Sequence, residues 1–245
     1  MIRLLVLAAV LFSVITVQAQ VQMKQGNWAK TKAGDVADVA ISPEGTIWIV
    51  RRNGTVSFSR NGRKWNKVDY NGFSRIAARN DNTVFVVGSN GTVWKYNGKN
   101  FTQTKAEGMN DIAVGQNGRI WTAGKNGTVW YSDDDGQNWT KSEANGFTSL
   151  GVGSDGLVWA IGTNGTLWGY NGSSWTQTNA SGMADVATGN NGQIYLVGTN
   201  GTFWFSGDRG ANFNQMSFKN NFARIAVSPN ENIYAVSDNG ILWQY

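Results

Sequence analysis

Apolar residues along this chain come in short runs, separated by polar pairs in which glycine commonly follows asparagine or aspartate. The stretch from Asp111 to Tyr131 shows the pattern. It reads as an apolar strand, a turn at Gln116-Asn117-Gly118, a strand Arg119 to Ala123, a turn at Lys125-Asn126-Gly127 and a strand Thr128 to Tyr131. Asn-Gly accepts positive φ at both central positions of a two-residue type I′ turn, so successive strands are expected to be antiparallel neighbours. A fourth strand is expected around Trp139. From residue 20 onwards no segment has the 3.6-residue periodicity of an amphipathic helix.

The unit recurs along the chain. Asn-Gly-Thr followed by an apolar residue starts at Asn53, Asn90, Asn126, Asn164 and Asn200, with a looser copy at Asn239, and the spacings are 37, 36, 38, 36 and 39. An aromatic landmark keeps step at Trp28, Trp65, Phe101, Trp139, Trp175 and Phe213, as does an apolar run beginning at Val39, Ile76, Ile112, Leu150, Val186 and Ile225. Four short strands repeated six times predict an all-β fold, a six-bladed β-propeller with four antiparallel strands per blade. Glycine, at 31 of 245 residues, is nearly double its ordinary share of about 7%. That excludes a helical solenoid of similar period, in which each interior glycine costs about 1 kcal/mol. Because the chain starts on an outer-strand landmark and ends on the third-strand motif Trp243-Gln244-Tyr245, the last blade is expected to be closed by the N-terminal strand, Asn27 to Thr31.

The first twenty residues read as an address. A basic Met1-Ile2-Arg3, an apolar Leu4 to Val17 and small or β-branched residues before Ala19 predict a signal peptide over 1–19, cut after Ala19, with 20–245 as a single propeller domain, secreted or periplasmic. The apolar run is shorter than the roughly 20 residues of a membrane span, and no other segment is long enough, so no transmembrane segment is expected.

The string Gly108-Met109-Asn110-Asp111-Ile112-Ala113-Val114-Gly115, with Gly118-Arg119-Ile120-Trp121 and Asn126-Gly127-Thr128-Val129-Trp130, resembles the tectonin repeat, and all six copies follow it. That resemblance implies a six-bladed propeller lectin, secreted and multivalent, whose repeated sites bind sugars such as O-methylated or N-acetylglucosamine-type glycans. Locally, Ser132-Asp133-Asp134-Asp135-Gly136-Gln137-Asn138-Trp139 resembles the Asp box, and Ser206 to Phe213 is similar with phenylalanine in the last place. In that resemblance the box is a structural turn between the two outer strands.

Composition narrows the chemistry. The chain has no histidine and no cysteine, which removes Ser-His-Asp and Cys-His nucleophiles, the usual zinc and haem ligands and disulfides. The net charge is +5, yet no basic run exceeds Arg51-Arg52, so no nucleic-acid partner is expected. Asp133-Asp134-Asp135 does not have the alternating ligands of an EF-hand loop, and neither metal nor cofactor is expected. The arginine strings around Arg75 and Arg224 lie on a repeated strand rather than in a sialidase-like cluster, and the chain is read as not an enzyme.

Two sets of residues are candidates for ligand binding. Asp38, Arg75, Asp111, Ser149, Asp185 and Arg224 share one aligned position, placed on the loop entering the inner strand; there the aspartates would accept hydrogen bonds from sugar hydroxyls and the arginines would favour an anionic group. The alternative is that they solvate the channel mouth. Trp48, Trp121 and Trp159, aligned with Phe85, Tyr195 and Tyr234, are either core between blades or platforms for the apolar face of a sugar. The leading reading is a carbohydrate-binding protein whose partners are glycans or glycosylated surfaces. The alternatives are an extracytoplasmic protein-interaction scaffold, marked by one large apolar surface patch, and, last, a glycoside hydrolase with paired acids in a deep cleft. Oligomeric state is not read from the sequence.

Overall fold

The computed structural model describes residues 23, 26–218, 220–228 and 230–245; the expected signal peptide at 1–19 lies outside them. The described chain forms six four-stranded antiparallel sheets, a six-bladed β-propeller. Blade one is Val36–Ile41, Ile47–Arg51, Val56–Ser59 and Asn66–Val68 from the inside outwards, and blades two to five follow the same order. The sixth sheet runs Phe222–Val227, Ile233–Ser237, Leu242–Gln244 and Ala29–Lys30, with Ala29 opposite Gln244. Among the described residues no helix is long and apolar enough to cross a membrane.

The second strand of each blade is largely apolar and buried because both of its faces are covered. Ile47 and Ile49 pack towards blade six, while Trp48 and Val50 pack towards blade two. The six hydrophobic clusters are accordingly the six joints between neighbouring blades.

The turns differ from the expected type I′ hairpins. In the Asn126 turn the Gly127 N–H donates to the Gly124 carbonyl (2.8 Å) and the Gly124 N–H to the Thr128 carbonyl (2.7 Å). Gly127 has φ of 80°, whereas Asn126 stays out of the left-handed region. This is a three-residue loop, a type I turn followed by a left-handed glycine. The asparagine spends its carboxamide on the next threonine: Asn126 Oδ1 accepts from the Thr128 N–H (3.2 Å) and from Thr128 Oγ1 (2.7 Å). Trp130 Nε1 then donates to that hydroxyl (3.1 Å). The same relay links Asn90, Thr92 and Trp94, then Asn164, Thr166 and Trp168, then Asn200, Thr202 and Trp204. So the recurring Asn-Gly-Thr-apolar-Trp string is one hydrogen-bonded device that fixes both the turn and the indole of the third strand.

Candidate functional site: the charged ring and the rim grooves

The six aligned polar residues lie on the inner strands themselves, not on the loops leading into them. Each follows a β-bulge; in blade one the register shifts between Val36 and Asp38, and the other five inner strands shift at the equivalent place. A bulge turns the next side chain sideways, and here it aims the carboxylates at the neighbouring blade. Asp38 Oδ2 accepts from the Ile76 N–H (2.9 Å), Asp111 Oδ2 from Leu150 (2.8 Å) and Asp185 Oδ2 from Ile225 (2.8 Å). Each of the three aspartates thereby joins an odd-numbered blade to the even-numbered blade that follows.

The even blades answer from the other side. Arg75 Nε lies 3.5 Å from Asp111 Oδ1, the Ser149 hydroxyl donates to Asp185 Oδ1 (2.7 Å), and Arg224 Nη1 donates to the same oxygen (3.1 Å). Because Arg224 turns back to Asp185, Asp38 has no ion pair among the described residues. Burial pushes its carboxyl up to about 7, against the pull of Arg75 and Arg224; burial also raises Asp111. At the other end of the inner strands a cavity of about 90 Å³ is lined by Ile41, Ala78, Val114, Val152 and Val227 among others.

The three adjacent aspartates of blade three diverge. Asp133 takes Arg119 (2.6 Å), Asp134 stays within its own turn, bonded to Ser132 and Asn138, and Asp135 holds Arg79 (2.5 Å) and Lys95 (2.8 Å). The Asn138 and Ser132 hydrogen bonds hold the half-buried Asp134 carboxyl below its ordinary value.

The candidate tryptophans part company. In blade one Trp48 packs against Phe58 in a tilted pair, with centroids 4.9 Å apart, and is approached by Tyr96. In blade three Trp121 is covered by Tyr131 (5.1 Å) and Tyr170 (5.8 Å), and Arg119 lies over it. Trp159 is also buried, at 6% exposure, but has no third-strand ring over it: the residue opposite it is Gly169, where the other blades carry Phe58, Lys95, Tyr131, Phe205 and Gln244. It lines a groove of about 450 Å³ between blades four and five, together with Tyr170, Asn171, Thr176 to Asn179 and Arg209 to Ala211. A similar groove of about 430 Å³ lies between blades two and three, lined by Lys95, Thr102 to Lys105 and Asp135 to Gln137. Among the described residues Tyr70 is the large hydrophobic side chain left exposed.

Gly169 and Arg209 were not among the residues picked out in the sequence, although aligning the residue after each third-strand tryptophan exposes the glycine at once. The grooves carry a signal too, because Thr-Gln-Thr follows the outer-strand aromatic in blade two (Thr102 to Thr104) and in blade four (Thr176 to Thr178) only.

No family model and no curated protein matches the chain. Solved structures do. YCF48 from Cyanidioschyzon merolae superposes with a TM-score of 0.62 at 14% identity, over 90% of this chain and 98% of that one. YCF48 bound to D1 peptide gives 0.62 at 17%, over 91% and 98%. A streptogramin B lyase gives 0.60 at 10%, over 89% and 96%. At these identities the likeness is one of fold.

Proposed function

We propose that this propeller is a binding scaffold that holds an extended segment of a protein partner in the grooves between its blades. One observation carries the reading: both grooves run beside an outer strand, Phe101–Gln103 or Trp175–Gln177, that pairs on one side only. A strand at the edge of a sheet presents unpaired N–H and C=O groups to an incoming chain, and pockets beside it select side chains. That a propeller of similar shape, YCF48, is known bound to a peptide supports the same reading. Residues 1–19, read as a leader, would put this work outside the cytoplasm.

A glycan reading, which the tectonin resemblance implies, has its own support. Asn171, Gln177, Thr178 and Asn179 set uncharged amides and hydroxyls around Trp159, a lining that also suits a sugar. Selection of the purified chain against a displayed random-peptide library, beside a glycan array, separates the two. The scaffold reading expects peptides sharing a pattern to be enriched while the array stays blank. It falls if no peptide is enriched and array binding is abolished by a free sugar.

A further inference from the structure

Resting on the scaffold reading, we infer that the groove between blades four and five is a socket for an aromatic side chain of the partner with a carboxylate beside it. The argument starts from the repeat. In blades one, three and five the second-strand aromatic is capped by a third-strand ring, at 4.9 Å for Trp48 and Phe58, 5.1 Å for Trp121 and Tyr131 and 5.0 Å for Tyr195 and Phe205. Blade four keeps the aromatic, Trp159, and removes the cap. Glycines stand on two sides of that indole: a Cβ at Gly169 or at Gly210 would come within 2.9 Å of it. The indole lies against both glycines and keeps only 6% of its surface exposed, and beside it the groove of about 450 Å³, lined also by Tyr170, is open. A ring from another chain can enter there with the offset or edge geometry that aromatic pairs prefer, worth about 0.5–1.5 kcal/mol beyond the area it buries.

Charge sets the second half of the ligand. In the groove between blades two and three the outer turn supplies Asp135, and Arg79 and Lys95 neutralise it. In the groove between blades four and five the same turn position holds Arg209, opposite glycine rather than lysine. Arg209 sits at φ 58°, 63% exposed in its side chain, and its nearest carboxylate, Asp155, is 4.0 Å away. A guanidinium offered in this way favours a carboxylate in a bidentate pair.

The test uses the tetrapeptide acetyl-Thr-Phe-Asp-Thr-amide, followed through the indole N–H signals of the isotopically labelled chain, with Trp159 assigned by Trp159→Phe. The peptide should shift the Trp159 signal, and replacing its Phe by Ala or its Asp by Lys should weaken binding at least tenfold. Gly169→Phe, which puts a ring into the groove that Gly169 lines, should abolish binding. Arg209→Glu, a change on an exposed turn, should reverse the preference towards the Lys peptide. Binding that survives Gly169→Phe in a folded variant overturns the socket, as does an Arg209→Glu variant that still prefers the Asp peptide. So does free glucuronic acid shifting Trp159 where the peptide leaves it unmoved. If library peptides bind but ignore Gly169→Phe, the socket fails while the scaffold stands.

Discussion

Asp38 shows how the want of an ion pair can make one buried carboxylate of a repeated set behave differently. Its carboxyl is raised to about 7 in the folded chain from an unfolded value of 3.8. Below about pH 4 both states hold the proton. Between pH 4 and 7 the unfolded chain releases it first, so the stability contributed by the protonated Asp38 is lost as the pH rises through 7. Asp38→Asn keeps an acceptor for the Ile76 N–H and has no proton to lose. Unfolding free energies from urea titrations at pH 4.5, 6 and 8 should therefore move in favour of the variant by about 1–4 kcal/mol over that window; a constant difference would remove the basis for the raised value. A second residue points the same way about polar groups in this core. Thr122 is fully buried, and its hydroxyl has no hydrogen-bond partner among the described residues, where the other blades carry Ile49, Val86, Ala160, Leu196 and Ala235. Thr122→Val should raise stability by about 1 kcal/mol. A lower melting temperature in the variant would mean that the hydroxyl is satisfied after all.

At the level of the strand and its turn, the repeating motif was legible while its chemistry was not. Asn-Gly-Thr marks a hairpin in any sequence, and strand order follows from it. The turn type was misassigned because asparagine tolerates positive φ, and nothing in the string says that it will bond the threonine instead. The Asn-Thr-Trp relay makes a comparison possible within one molecule. Thr128 serves both Asn126 and Trp130, whereas in blade one Ser57 stands in the tryptophan's place and Thr55 serves Asn53 alone. Thr128→Val should cost about 1–2 kcal/mol, since it leaves an indole N–H without its acceptor, and Thr55→Val about half as much. Equal falls in the two denaturation midpoints would show that the indole bond adds nothing. The groove of blade four escaped the sequence reading for a related reason. It is made by an absence, one glycine among 31, and a glycine in a strand of a glycine-rich chain gives no warning until its five counterparts are set beside it.

Across the whole ring, six blades could be counted from the sequence because the period is written in turns and aromatics. The pairing of blades could not be read from any one copy, because it depends on which neighbour each polar side chain reaches. Asp38, Asp111 and Asp185 tie blades one to two, three to four and five to six through a backbone amide, whereas the joints after blades two and four are made by Arg75 and Ser149 reaching forward to a carboxylate. Two kinds of joint therefore alternate over the first five, and the sixth, from blade six to blade one, departs from the pattern because Arg224 turns back to Asp185. Equivalent residues two blades apart, Asn53, Asn126 and Asn200, are separated by 73 and 74 residues. In terms of parity, a couple of blades rather than a single blade is the unit that carries both kinds of joint, and two neighbouring blades taken from like positions would bring two joints of one kind together.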